Sequence, residues 1–183
     1  MKLMIASDLH GSACYCRQML QQLEQEQADR LLLLGDLLYH GPRNHIPYEY
    51  TPDSVIEQLN AVKDRLLCVR GNCDAEVDQA VLQFPILAEH CILFLGNRMI
   101  FATHGHNCNE DNPPPLRHGD ILLHGHTHVP ACREHDHFLY VNPGSVSIPK
   151  GSSPSSYILL TDNRLEWKTL NGTTYYSCQM PDC

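Results

Sequence analysis

Five apolar segments of this chain each end in a short polar group that contains aspartate, asparagine or histidine. The segments KLMIAS, LLLLG, LLCVRG, RMIFAT and DILLHG are followed directly by Asp8, Asp36, Asn72, His104 and His126. Short apolar runs of this kind are typical of buried strands. Open α/β sheets bind their ligands beyond the carboxyl ends of their strands. The repeated pattern therefore predicts one polar site assembled where several strands end.

The first half of the chain alternates between strand and helix patterns. Strands are predicted at residues 2–7, 31–34 and 66–69. Between them, helical patterns cover residues 12–27 and 53–64, and we expect Asp53 and Ser54 to cap the second helix. This order is typical of βαβ units in an α/β fold.

After Pro85 the pattern changes to short strands with few helical segments. These strands are predicted at residues 91–95, 98–102, 121–124, 138–141, 157–161 and 165–170. The change predicts a second sheet that packs on the first. No linker is apparent, and a length of 183 residues is suited to one domain spanning 1–183. We expect residues 107–119 to form a flexible loop because they contain three consecutive prolines.

Charge and composition restrict the partners and the compartment. The net charge of −8 disfavours polymeric nucleic acid and anionic membranes as partners. The N-terminus lacks a secretory signal, and no apolar run approaches the roughly 18 residues of a membrane span. Nine cysteines without a C-x-x-C motif are interpreted as reduced thiols. Together these features predict a cytoplasmic protein.

Seven residues beyond the strand ends form a mixed nitrogen and oxygen ligand set. They are Asp8, His10, Asp36, Asn72, His104, His126 and His128. Asp8 and His10 would share a face if the strand stayed extended, and the Asp36 carboxylate could bridge two cations. Such ligands suit Mn²⁺, Fe, Co²⁺ or Zn²⁺, and Mg²⁺ less well. Paired metals are typical of displacement at phosphorus. Taken singly, Asp8, Asn72 and His104 are more often turn, cap or core residues, whereas the His126-Thr127-His128 motif is as often a metal site as not.

The same residues lie in longer motifs that resemble a known family. Asp8-x-His10, Gly35-Asp36, Gly71-Asn72, Gly105 between two histidines and Gly125-His126-Thr127-His128 are similar to the motifs of calcineurin-like binuclear metallophosphoesterases. The segments GDLLYHGPRN, VRGNCDAEVD and NPGSVSIPKG resemble the small YfcE-type phosphodiesterases within that family. The resemblance covers roughly residues 1–162, and the tail after Leu170 lies outside it.

The resemblance implies a four-layer α/β/β/α sandwich with two mixed β-sheets. It also implies a phosphoric diester hydrolase that holds two divalent ions, with Mn²⁺ expected, and that uses a metal-bridging hydroxide as nucleophile. The first ion would be held by Asp8, His10, Asp36 and His128. The second would be held by Asp36, Asn72, His104 and His126. The expected partner is a small-molecule phosphodiester.

Further residues are predicted to act on the substrate. The catalytic set comprises Asp36, Asn72, His104, Asp74 and His106, and substrate contacts are expected from His40, Arg43 and Cys73. We expect residues 142–150 to pass near the site. Many superfamily members have a histidine at the position of Cys73, and it assists the leaving group. A thiol is a weaker hydrogen-bond donor and carries no charge when neutral, so assistance from Cys73 would be weak.

Two alternatives to a phosphodiesterase follow from the same residues. One is a catalytically weak protein-interaction scaffold with the same fold. The other is a phosphomonoesterase or nuclease that uses the same metals on another substrate. Exposed strand edges in the second half also favour a homo-oligomer.

Overall fold

A computed structural model describes residues 2–180, which contain two mixed β-sheets and three α-helices. The helices are α1 (Ala13–Gln25), α2 (Pro52–Asn60) and α3 (Glu76–Val81), and a 3-10 turn covers Lys63–Arg65. The strands are β1 (Lys2–Ala6), β2 (Arg30–Leu33), β3 (Leu66–Cys68), β4 (His90–Leu95), β5 (Arg98–Thr103), β6 (Asp120–Leu123), β7 (Ala131–Glu134), β8 (Phe138–Asn142), β9 (Ser156–Thr161), β10 (Arg164–Thr169) and β11 (Thr174–Gln179). The predicted α/β class with two mixed sheets is confirmed.

The first sheet has the strand order β11-β10-β9-β1-β2-β3. Its β1, β2 and β3 are parallel, with Ile5 opposite Leu32 and Leu33 opposite Cys68. Strand β9 pairs antiparallel with β1, and β10 and β11 extend that edge. Because the three parallel strands end at the same edge, the residues that follow them are brought together there.

The second sheet has the order β4-β5-β6-β8-β7. Its central strands β5, β6 and β8 are parallel, and β4 and β7 flank them in the antiparallel direction. The residues that follow β5 and β6 therefore leave this sheet at one edge. That edge adjoins the edge of the first sheet where β1, β2 and β3 end, as the contacts of the candidate site show.

Two apolar cores lie on opposite faces of the first sheet. Met4 and Ala6 of β1 pack in the core with α1 and α2, whereas Leu3 and Ile5 pack in the core that the two sheets share. This alternation follows from the two-residue repeat of a strand. Trp167 of β10 is buried between the sheets, and its indole N–H donates to the carbonyl of Asn142 at 2.7 Å.

Several local predictions differ from the structure. The predicted cap at Asp53 and Ser54 is wrong, because α2 begins at Pro52, whose fixed φ suits the first helical turn. The elements α3, β7 and β11 were not predicted from the sequence. The second half does not form the second sheet alone, because β9, β10 and β11 complete the first sheet. The tail after Leu170 thus supplies an edge strand.

All three α-helices precede β4 in the chain, and α1 and α2 pack against the first sheet. The loop at residues 107–119, which we expected to be flexible, is tied to the end of β7. There the Glu110 carboxylate pairs with Arg133 and accepts a hydrogen bond from His135 at 2.8 Å.

No helix among the described residues has the length and apolar composition needed to cross a membrane. The predicted domain 1–183 also includes Met1 and residues 181–183, which lie outside the described part of the chain.

Candidate metal centre

The ends of five strands bring the seven predicted ligands to one place between the two sheets. Residues after β1, β2 and β3 come from the first sheet, and residues after β5 and β6 come from the second. The ligands from the first sheet are Asp8, His10, Asp36 and Asn72, and those from the second are His104, His126 and His128. Hydrogen-bond and ion-pair distances between their side chains divide them into two overlapping clusters.

The first ligand cluster contains Asp8, His10, Asp36 and His128. The Nε2 atoms of His10 and His128 lie 3.3 Å apart. The Asp8 Oδ1 atom is 3.7 Å from His10 Nε2 and 3.3 Å from His128 Nε2. The Asp36 Oδ2 atom is also 3.7 Å from His10 Nε2. All four side chains are buried.

The second ligand cluster contains Asp36, Asn72, His104 and His126. The His104 Nε2 atom lies 3.5 Å from Asp36 Oδ2, 3.1 Å from Asn72 Oδ1 and 3.1 Å from His126 Nδ1. The Oδ2 atom of Asp36 therefore faces a histidine of each cluster. This is the position that a carboxylate bridging two cations would occupy.

Backbone contacts fix the histidine tautomers. The Nδ1–H groups of His10, His104 and His128 donate to the carbonyls of Tyr39, Leu34 and Ile148 at 2.8, 2.6 and 2.6 Å. These bonds leave Nε2 of each ring facing the site, which is the usual arrangement of metal-binding histidines. Two such nitrogens 3.3 Å apart repel each other unless a cation or a proton lies between them.

The electrostatics of the site suit a bound cation. Burial opposes ionisation of Asp8, but its contacts with His10 and His128 hold the pKa of this carboxyl well below its usual range. Its Oδ1 atom is buried and accepts no hydrogen bond. Burial lowers the pKa of His126 to about 4, so the ring is neutral at physiological pH and can donate a nitrogen lone pair to a metal. A buried anionic oxygen that lacks a hydrogen-bond partner and lies beside imidazole nitrogens is therefore a good fit for a divalent ion.

Five of the seven ligands have left-handed backbone conformations, namely Asp8, His10, Asp36, His126 and His128, with φ between 48° and 63°. Such conformations cost roughly 1–3 kcal/mol each outside glycine and cluster at functional sites. We expected Asp8 and His10 to share a face of an extended strand. That reason is wrong, because β1 ends at Ala6 and both residues lie in a tight turn.

Glycines before the ligands allow the strand ends to approach closely. A Cβ atom at Gly71 would lie 2.1 Å from Asp36 Oδ1, and one at Gly125 would lie 1.9 Å from Ser7 Oγ. No side chain fits at either position without displacing a ligand-bearing turn. Steric crowding thus explains why glycine precedes the ligands Asn72 and His126.

The segment at residues 142–150 braces the site, as its expected position suggested. The hydroxyls of Ser145 and Ser147 donate to the Asp8 carbonyl at 2.8 and 3.0 Å. The Asn142 amide donates to the Gly125 carbonyl at 2.9 Å. This segment therefore holds one turn from each sheet. Its position near the site was predicted from the sequence, but these contacts were not.

A pocket of about 360 Å³ opens beside the two clusters, and we call it the metal pocket. Of the predicted substrate contacts, Arg43 and Cys73 line it. The structure does not bring His40 to this lining, because its ring packs edge-on against Tyr39 and Tyr50. Lys150, which was not predicted as a site residue, also lines the pocket, and its place in the NPGSVSIPKG segment was the available signal.

Asp74 lies beneath the site rather than in the pocket. Its buried carboxylate accepts hydrogen bonds from the backbone N–H groups of Asp36, Leu37 and Gly71 at 2.7–2.8 Å. Burial raises its pKa despite these bonds. Asp74 therefore positions Asp36 by joining the turns after β2 and β3.

His106 lies beside the second cluster, with its ring centroid 5.4 Å from that of His104. Its Nδ1 atom is buried without a hydrogen-bond partner, and burial lowers the pKa of the ring. His106 is thus a neutral imidazole within reach of the cluster, as a proton donor or acceptor would need to be.

A family profile and a sequence relative decide the family. The profile of the calcineurin-like phosphoesterase superfamily domain matches residues 1–164. The chain belongs to this superfamily. It is 46% identical over 171 residues to phosphodiesterase YfcE of Escherichia coli K12, with 93% of each chain covered. As a metallophosphoesterase, it belongs to a family that binds divalent metals.

Solved structures agree with this assignment. The structure of YfcE, a phosphoesterase from E. coli, superimposes with a TM-score of 0.95 over 99% of this chain and 100% of that one, at 43% identity. Zinc-bound Vps29 from Entamoeba histolytica superimposes with a TM-score of 0.61 over 99% and 100% of the two chains, at 19% identity. The second likeness shows the shared fold alone.

Proposed function

We propose that this chain is a phosphodiesterase that binds two divalent ions, with Mn²⁺ as the preferred metal. The proposal is supported above all by the two ligand clusters that share Asp36. It is also supported by the similarity to YfcE, which is named a phosphodiesterase. Two ions bound there would stabilise charge on the phosphoryl oxygens and lower the pKa of a bound water molecule.

The first ligand cluster and the second ligand cluster are the proposed metal sites, with Asp36 in both. Seven side chains would then serve as ligands: Asp8, His10, Asp36, Asn72, His104, His126 and His128. Their chemistry is mixed nitrogen and oxygen, which suits Mn²⁺ and also Zn²⁺, Co²⁺ or Fe. Among these, Asp36, Asn72, His126 and His128 line the metal pocket, where the reacting phosphate would lie, whereas His104 is fully buried.

Two positively charged side chains in the metal pocket would hold the phosphate. The side chains of Arg43 and Lys150 line the pocket, and neither has a hydrogen-bond or ion-pair partner among residues 2–180. Most other lysines and arginines of this acidic chain are paired. Unpaired cations at a pocket mouth attract an anionic ligand. A volume of about 360 Å³ favours a small phosphodiester over a polymer.

Cys73 contributes little to departure of the leaving group in this proposal. Burial raises the pKa of its thiol, so the side chain stays neutral and donates weakly. His106 lies beside the second cluster, but burial lowers its pKa, so its neutral ring would also donate a proton only weakly. The enzyme would then cleave best those diesters whose leaving group needs little protonation.

The first prediction concerns the substrate class. With Mn²⁺ present, we expect the protein to hydrolyse bis(p-nitrophenyl) phosphate faster than p-nitrophenyl phosphate. Excess chelator should abolish the activity, and added Mn²⁺ should restore it. Release of p-nitrophenol, followed by absorbance, measures both reactions. Faster cleavage of the monoester would replace the proposal by a phosphomonoesterase. No turnover of either ester with metal bound would leave the interaction scaffold as the better interpretation.

We further infer a reducing compartment, the cytoplasm, because the eight cysteines among residues 2–180 are all free thiols. A homo-oligomer stays a prediction. The edge strands β4 and β11 carry exposed aromatic side chains at Phe94 and Tyr176, which are 69% and 48% exposed.

A further inference from the structure

A second cavity, of about 430 Å³, adjoins the metal pocket, and we call it the apolar groove. The two cavities share the side chain of Cys73. The groove runs between the loop after β2 and the helices α2 and α3. Its walls include Leu38, Tyr39, Tyr50, Ile56, Val77 and Val81.

The walls of the groove are apolar and accessible. Val77 is 71% exposed, Val81 45% and Tyr39 43%. The one carboxylate in the lining, Asp78, is already occupied, because it accepts a hydrogen bond from the Ala75 N–H at 2.8 Å. Exposed apolar side chains gathered in one concave surface are typical of a binding site.

One wall of the groove is built from aromatic rings. The His40 ring packs against Tyr39 and Tyr50, with centroid distances of 4.7 and 5.3 Å. Both tyrosines line the groove, so His40 supports its wall instead of reaching the phosphate. Rigid aromatic walls present a flat apolar surface, which is suited to an aromatic ring.

We propose that the apolar groove binds an aromatic ester arm of the phosphodiester while the phosphate lies in the metal pocket. This inference rests on the proposed function, and it names the substrate class as diesters with at least one aromatic alcohol. The Cys73 side chain lines both cavities, so a ligand that fills both would pass beside it. A thiol occupies less space there than the histidine that many superfamily members have at this position.

Binding of two non-activated diesters tests the groove without relying on turnover. The probes are diphenyl phosphate and dimethyl phosphate, titrated by calorimetry into the Mn²⁺-loaded protein. Burial of one ring should make diphenyl phosphate bind about tenfold more tightly or better. Val77→Asp, at an exposed helical position, should reduce this preference to about twofold by placing a charge in the groove.

Phe94→Asp is the matched control. Phe94 is 69% exposed and lines a different cavity, which shares no residue with the metal pocket. This variant should keep the wild-type preference. Sedimentation velocity of the wild type and both variants shows whether the groove is instead covered by a second copy of the chain.

The outcomes separate the two proposals. The protein could bind diphenyl phosphate more tightly in a way that depends on Val77 and yet show no turnover. That result would support binding of an aromatic ring in the groove and would contradict the proposed function. Turnover combined with equal affinity for the two probes overturns the groove. An oligomer that Val77→Asp dissociates, with an unchanged probe preference, also overturns it and identifies the groove as an interface between copies.

Discussion

The two ligand clusters share Asp36 but differ in their access to solvent. In the first cluster, Asp8, His10, Asp36 and His128 are all buried, with at most 3% exposure. In the second, Asn72 is exposed and His126 is half-buried. The first candidate metal site is therefore more enclosed by protein than the second, although His128 also lines the metal pocket.

This difference follows from how the chain supports each cluster. The first cluster is held by hydrogen bonds from Ser145 and Ser147 to the Asp8 turn, and by carbonyls that fix His10 and His128. In the second cluster, the hydrogen bonds of the Asn72 side chain to residues 2–180 are those with its neighbour Cys73 and with His104. We infer that the first cluster retains its ion tightly, and that the second exchanges its ion and meets the substrate.

The largest expected effect comes from Asp36→Asn, which changes the one ligand common to both clusters. The amide keeps the shape but removes the negative charge that faces His10 and His104. Loss of several kcal/mol of charge stabilisation should lower kcat/KM by about a thousandfold or more. Bound Mn²⁺ should fall well below that of the wild type, as measured by elemental analysis of the dialysed protein.

Asp162→Asn is the matched control for Asp36→Asn. Asp162 lies in the exposed turn between β9 and β10 and also has a left-handed backbone, with φ of 44°. Asparagine tolerates that conformation, so this variant should keep full activity and full metal content. Two ions retained by Asp36→Asn would show that the clusters do not depend on a shared carboxylate.

A second pair of variants compares the clusters directly. Asn72→Ala should weaken Mn²⁺ binding by about tenfold, and high Mn²⁺ should restore activity, because the ligand lost is one neutral oxygen at an open site. His10→Ala should weaken binding by about a hundredfold or more, because it leaves two buried carboxylates without their imidazole. Activity measured against Mn²⁺ concentration checks both. Equal rescue of the two variants would contradict the difference between the clusters.

The identity of the ligands can be predicted from the sequence, whereas the hydrogen bonds that hold the ligands in place cannot. All seven candidate ligands could be named because apolar strands end directly before them, and those strand ends are local features. The contacts that fix the ligands are between residues far apart in the chain, such as Ser147 with Asp8 and Asp74 with Leu37. Their pairing depends on the packing of the two sheets, which no short segment encodes.

The fold shows the same division. The strands of the βαβ half were predicted to within one residue or so, because each is a run of buried apolar side chains. The strands β7 and β11 were missed because both are largely exposed edge strands, without an apolar run to mark them. The sheet that β9, β10 and β11 join could not be predicted either. That choice is decided by the pairing of β9 with β1.

The smallest expected effect concerns the serine hydrogen bonds that hold the Asp8 turn of the first cluster. In Ser147→Ala, the buried Asp8 carbonyl loses one of its two hydroxyl donors but keeps Ser145. We expect the free energy of unfolding to fall by about 1 kcal/mol, measured by urea denaturation of the metal-free protein. Ser153→Ala is the control, because its exposed hydroxyl donates only to the Lys150 carbonyl and should contribute little. A brace specific to the first cluster also implies weaker binding of its ion in Ser147→Ala. If Ser147→Ala weakened only the binding of the ion at the second cluster, the proposed role of Ser147 in supporting the first cluster would be wrong.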